Sequence, residues 1–247
     1  GGVAFGRFKP RPDLELMVGY RYEDTRWLGA HPRLWSLFGA KNFRANFSTV
    51  AAPVREAAAD EIDTTSDARL FFRAEFDNRD DQDPFSHSAW FVTTEIEWSQ
   101  PGLGSDFDYR RYRLWVRRYQ SVSRYSMVLI RGVYGGSDGY LPLYRRYFLG
   151  GLGTMRGYRH KEYPGTRYWL GNVEYRIRLS RWPAAFSVLG DVGQIADEGG
   201  LGGDAEIRHS LGAAVYVGEH VRVSLAKRLD RSNDDDPKVY VRLVHRF

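Results

Sequence analysis

Between Arg167 and Leu179 the chain alternates without a break. Trp169, Val173, Tyr175, Ile177 and Leu179 fall on one side, and Leu170, Asn172, Glu174, Arg176 and Arg178 on the other. A period of two belongs to a strand, because successive side chains leave a pleated backbone on opposite faces. The pattern recurs over 69–77, where Leu70, Phe72, Ala74 and Phe76 oppose Arg69, Phe71, Arg73, Glu75 and Asp77. It returns over 238–247, where Val239, Val241, Leu243, His245 and Phe247 oppose Lys238, Tyr240, Arg242, Val244 and Arg246. Such ribbons make an all-β protein. In a soluble sandwich the apolar face would be a core; in a membrane barrel it would meet lipid while the polar face lined the lumen. Alternation alone does not choose between them.

Connection lengths do. Strands are expected near 3–9, 13–25, 67–77, 88–99, 106–119, 124–134, 167–181, 184–194, 205–218, 220–229 and 238–247. Several exceed the usual soluble strand of about 5–6 residues and suit the roughly 9–11 that a tilted strand needs to cross a bilayer. Counted back from the C-terminus, the connections alternate: 230–237 long, 219–220 short, 195–204 long, 182–183 short, 135–166 very long. Short periplasmic turns opposite longer extracellular loops are the asymmetry of outer-membrane barrels. The expectation is therefore a transmembrane antiparallel β-barrel of about 10–12 strands in this chain, with Phe247 at the periplasmic end. With eleven strands Gly1 would lie extracellularly, which predicts that the chain is the C-terminal part of a larger barrel; with ten it could close alone. The long connection 26–66 would then be extracellular.

Composition removes several functions. The absence of cysteine excludes disulfides, thiolate metal sites and cysteine nucleophiles. A net charge of +5 would suit nucleic acid, but the basic residues are spread along the chain, so no nucleic-acid partner is expected. The six histidines show no ligand spacing, and neither a metal nor another cofactor is expected. Gly135-Gly136-Ser137-Asp138-Gly139 fits the G-x-S-x-G pattern of hydrolases, but a proline and no helical face follow, so it reads as a glycine-rich hairpin loop and no catalytic residue is assigned. The acidic stretch 230–237 lacks the spacing of a calcium loop and reads as a solvated turn; 199–206 reads as a flexible loop.

Three separated motifs add a resemblance. "FDNRDDQDPFSHSAW" (76–90), "LGGLGTMRGYRH" (149–160), and "LGNVEYRIRL" (170–179) followed by "LGDVGQIAD" (189–197) are similar in kind, order and spacing to motifs of the BamA, TamA and FhaC outer-membrane superfamily. The likeness spans roughly 67–247. It implies the C-terminal part of a 16-stranded barrel whose loop 135–166 folds into the lumen. There Arg156, with Gly157 and Tyr158, would latch onto Glu174, Asp191 and Gly193, while Gly150 and Gly151 let the backbone turn. It also implies that 238–247, with Tyr240, Arg242 and Phe247, is the targeting strand. The alternation independently puts Glu174, Ser187, Leu189 and Asp191 on the polar face. Ser86-His87-Ser88-Ala89 departs from the family's Pro-Thr-x-Gly, and the short run from Tyr158 to the next strand is more like barrels attached to patatin-type phospholipases.

The resemblance implies a bacterial outer-membrane barrel that inserts or exports client β-barrel or secreted proteins through a lateral seam. The alternative it leaves is a membrane anchor or pore for an upstream enzyme such as a patatin-type phospholipase. Implied partners are outer-membrane lipids, lipopolysaccharide, clients and accessory assembly proteins. Periplasmic POTRA-type domains are not visible in this chain.

Overall fold

The computed structural model describes residues 1–25, 65–79, 88–197, 201, 205–218, 221–230 and 236–243. Most of the 26–66 connection, Asp80–His87 of the first motif, most of 199–206 and 230–237, and Phe247 lie outside the described residues. Thirteen strands are described: β1 (Gly2–Arg11), β2 (Leu14–Thr25), β3 (Thr65–Asp77), β4 (Ala89–Ser99), β5 (Tyr109–Ser123), β6 (Ser126–Gly139), β7 (Tyr147–Leu149), β8 (Tyr163–Gly165), β9 (Arg167–Arg178), β10 (Ala184–Ala196), β11 (Arg208–Val217), β12 (Val221–Arg228) and β13 (Lys238–Leu243). Eleven form one meander in the order β1-β2-β3-β4-β5-β6-β9-β10-β11-β12-β13, each antiparallel to its neighbours. The short pair β7 and β8 stands apart from it.

Connection lengths separate the two rims of this sheet with one exception. Residues 12–13, 78–88, 124–125, 179–183 and 218–220 join strands at one rim, and 26–64, 100–108, 140–166, 197–207 and 229–237 at the other; apart from 78–88, every connection of the first rim is shorter than any of the second. Gly2 pairs with Tyr22 at the long-loop rim, and Leu243 with Val221 at the short-turn rim. Among the described residues β1 and β13 each pair on one side only.

The two faces differ as the alternation requires. Leu70, Phe72, Ile96, Val173, Ile177 and Val188 are exposed on the outer face. Alone in water this apolar belt would be far larger than a monomer tolerates; against hydrocarbon it is the favoured surface. The inner face buries Asp67, Arg69, Glu97, Glu174, Asp191 and Arg228. Charges at such depth persist only when paired and hydrogen-bonded.

One expectation needs correction. Residues 135–139 are not a hairpin loop but the end of β6, paired with Tyr109–Arg113 of β5, so the crossing loop starts at Tyr140. The glycines there make room rather than a turn. A Cβ on Gly135 would stand 2.5 Å from the Tyr168 ring, and one on Gly136 would stand 2.5 Å from the Tyr112 hydroxyl.

Candidate functional site: the loop on the inner face

The connection between β6 and β9 is tied together at its neck by β7 and β8. Its tip, 150–162, is shaped by glycines whose backbone is left-handed: φ is 118° at Gly150, 89° at Gly151 and 89° at Gly157. L-residues with a Cβ avoid that region. Gly157 meets a second demand, since a Cβ there would lie 2.8 Å from the backbone N of Arg228 on β12. The turn is closed by Gly151 N–H to Met155 O at 2.8 Å and by Gly150 N–H to Thr154 Oγ1 at 2.9 Å.

Apolar packing seats the tip. Met155 is fully buried in a cluster with Leu149, Tyr158, Tyr168, Leu170 and Ile195, so loop and wall share one small core. Gly193 on β10 leaves space for it. A Cβ there would come within 3.3 Å of Met155 Sδ and 3.4 Å of Leu149 Cδ1.

Between Met155 and Gly157, Arg156 reaches the wall. Asp191 on β10 accepts from its backbone N at 2.8 Å and its Nε at 2.9 Å, and its Nη2 donates to the other carboxylate oxygen. Two such parallel bonds match the planar guanidinium fork. Asn172 on β9 donates to the same carboxylate at 2.7 Å and to Thr154 O at 3.0 Å, holding wall and loop together. Arg156 Nη1 also lies 3.5 Å from Glu174 Oε2. Glu174 in turn takes Arg176 at 3.1 Å, Arg222 at 2.9 Å and the Tyr216 hydroxyl. Burial pulls the Arg156 pKa down, but the hydrogen bonds and charge of Asp191, then the charge of Glu174, outweigh it, and the net shift is upward.

The tip touches the last strands as well. Tyr240 on β13 accepts from Gly157 N at 2.9 Å and donates to Tyr158 O at 3.1 Å, and Lys238 Nζ donates to Gly157 O at 3.1 Å. Tyr158 donates to His209 O at 3.0 Å, under the Arg228 guanidinium at 4.5 Å from its ring centroid. Thus Arg156, Gly157, Tyr158, Glu174, Asp191, Gly193 and Tyr240 come together. Arg242 stands opposite Arg222 in the β12–β13 register, and among the described residues it forms no hydrogen bond or ion pair with the tip.

A second contact point escaped the sequence reading. Arg145, at the end of a 3₁₀ turn over Leu143–Arg145, donates to Glu97 on β4 and lies 3.7 Å from Asp67 on β3. Those acids are shared with neighbours. Arg69 binds Asp67 at 2.7 Å and lies 3.3 Å from Glu97, Arg111 binds Glu97 at 3.0 Å, and Tyr109 donates to Asp67 at 3.0 Å. Arg111 also sits over the Tyr147 ring at 4.3 Å, just before the tip. The loop therefore lands on β3–β4 through Arg145 and on β9–β10 through Arg156. Of the first motif, Arg79 clamps Asp77 at 2.8 and 2.5 Å and covers Phe91 at 4.8 Å.

A meander with an apolar outer face, an ionic inner face and a loop docked inside defines an outer-membrane type of β-barrel. The Omp85 superfamily domain matches residues 1–239, and the chain belongs to that superfamily. Its fold is similar to a solved structure of BamA from Haemophilus ducreyi lacking POTRA domains 1–3, at 14% identity and a TM-score of 0.64, over 97% of this chain. That match covers 53% of the BamA chain, so the present chain spans about half its length. No curated protein matches the sequence. The sheet is thus the wall of a transmembrane antiparallel β-barrel, and the superfamily is one of outer-membrane protein insertion and translocation barrels.

Proposed function

We propose that this barrel inserts or translocates client proteins in the bacterial outer membrane, with Arg156 as the latch that keeps the 140–166 loop docked inside it. One observation carries the reading: a single loop tip is joined to β10 through Arg156 and Asp191 and to β13 through Gly157 and Tyr240. The latch and the last strand therefore form one mechanical unit. An open strand edge offers unpaired N–H and C=O groups to an incoming strand, and β13 beside a docked loop supplies such an edge to a client. Outer-membrane lipids and lipopolysaccharide surround the outer face, and accessory assembly proteins deliver clients. The residues of 238–247 carry the targeting signal.

The test uses the full-length protein reconstituted in lipid vesicles, with assembly of a client barrel read by its heat-sensitive gel mobility. Arg156→Ala is expected to lower the assembly rate at least about tenfold, with trypsin now cutting within 150–162. Wild-type assembly by a variant whose tip is freely cleaved would separate the latch from function and overturn the proposal.

A further inference from the structure

Beneath the loop tip, towards the short-turn rim, the inner wall lines a half-open cavity of about 980 Å³. Leu152, Gly153, Thr154 and Arg156 form its ceiling, and residues of β5, β6, β9, β10, β11, β12 and β13 form its walls. Its charge is one-sided. Arg117, Arg131, Arg176, Arg222 and Arg242 line it, and Glu174 is the one carboxylate among the lining residues. Glu174 is already shared by Arg156, Arg176 and Arg222.

Arg117 and Arg131 form no ion pair with Glu174 among the described residues. Arg117 and Arg131 lie over one ring, Trp115, with guanidinium carbons 4.7 and 4.6 Å from its centroid. Among the described residues neither forms an ion pair; Arg117 donates to the Tyr119 hydroxyl at 3.3 Å and Arg131 to Gly153 O at 2.8 Å. The Nε groups of Arg131, Arg176 and Arg222 are buried with no hydrogen-bond partner. Elsewhere on the inner face arginines sit beside carboxylates: Arg113 holds Glu95 at 2.6 Å and Arg73 holds Glu75 at 2.5 Å. Like cations gathered in a partly enclosed site repel one another, and an entering anion relieves that repulsion while filling open donors. Rings of arginine in pores select anions for this reason.

We infer that the cavity binds an extended acidic peptide segment, its carboxylates on Arg117, Arg131 and Arg242 and its apolar side chains against Trp115 and Tyr119. This rests on the client-handling function proposed above and names the chemistry of the client part that is held. A peptide fits the location better than a lipid phosphate does. The cavity lies on the inner face, behind the sheet from the lipid-facing side, and reaches Trp182, Pro183 and Gly218 at the short-turn rim. That rim is the periplasmic one in this topology, where a polypeptide in transit arrives.

The experiment measures fluorescence anisotropy of a labelled peptide alternating aspartate with valine, and of its asparagine counterpart, on the full-length protein in neutral detergent. The aspartate peptide is expected to bind at about 50 mM salt and to weaken steeply by about 500 mM as charges are screened. The asparagine peptide should bind at least about tenfold more weakly, as should the aspartate peptide on the Arg117→Gln/Arg131→Gln double variant. Arg117→Lys/Arg131→Lys should restore most of the loss, and the loop tip should stay trypsin-resistant in both. Equal binding of the two peptides, or an unaffected glutamine variant, overturns the inference. So does displacement of the peptide by short-chain phosphatidylglycerol, which would assign the cavity to lipid phosphate. Client assembly measured on the same preparations separates the two readings. A wild type that assembles no client sinks the proposed function. A wild type that assembles clients, with a glutamine variant that handles acidic and neutralised clients alike, sinks only this inference.

Discussion

The two arginines that fix the loop are held in different ways. Arg156 is the chief cation of Asp191, whose other donors, Asn172 and Ser210, are uncharged. Arg145 joins acids that Arg69 and Arg111 already neutralise. The first is a pair in which each partner depends on the other; the second is a redundant network to which the loop adds one member. Removing one charge of a buried pair strands the other, whereas a network redistributes its contacts. The comparison therefore predicts that the β9–β10 contact dominates the loop's docking and that the β3–β4 contact trims its position.

The largest effect should come from Asp191→Ala. It leaves Arg156, its backbone N–H and Asn172 without their common acceptor, and Glu174 at 3.5 Å is already engaged by two other arginines. A loss of about 3–5 kcal/mol in loop docking is expected, the cost of breaking a buried pair. Trypsin cleavage after Arg159 or Lys161 in the embedded protein would report it. A tip that stays protected would mean that Met155 and its apolar cluster, not the ion pair, hold the loop.

Arg145→Ala should cost less, about 1–3 kcal/mol. Glu97 keeps Arg69 and Arg111, and Asp67 keeps Arg69 and Tyr109, so no acid is abandoned. The expected readout is faster proteolysis around Tyr144–Tyr147 with the 150–162 tip still protected. If instead the tip opens as readily as in Asp191→Ala, the loop docks as a single rigid body and the contrast between its two contacts collapses.

The same contrast marks what the sequence made legible. Arg156, Glu174 and Asp191 could be named because a local motif supplied the arginine and the period of two placed both acids on the inner face. The eleven long strands were expected near their observed places, and β3, β9 and β13 carry the clearest alternation. Arg145 was not, because nothing near it in the chain points to partners at Asp67 and Glu97, which only the sheet register brings beneath it. Alternation had put Arg69 on the polar face but could not say which carboxylates balance it. The end of β6 was hidden by the opposite effect. Gly135 and Gly136 resemble punctuation locally, yet they are strand residues because rings from β5, β7 and β9 occupy the space where their side chains would be.

The smallest expected effect tests how far the dominant contact extends. Tyr240→Phe keeps the ring on β13 and removes only the hydroxyl that links Gly157 N and Tyr158 O. A loss of about 0.5–1.5 kcal/mol is expected, the net worth of one hydrogen-bonding group. Lys238 still donates to Gly157 O, so the tip should remain docked. The informative measurement is hydrogen exchange of β13 rather than of the loop. Faster exchange over 238–243 with an unchanged tip would show that the loop steadies the last strand. That outcome extends the β9–β10 contact into an element spanning β9 to β13. Exchange that changes in neither place would confine the latch to Arg156 and its two acids, and would leave the last strand free to move while the loop stays docked.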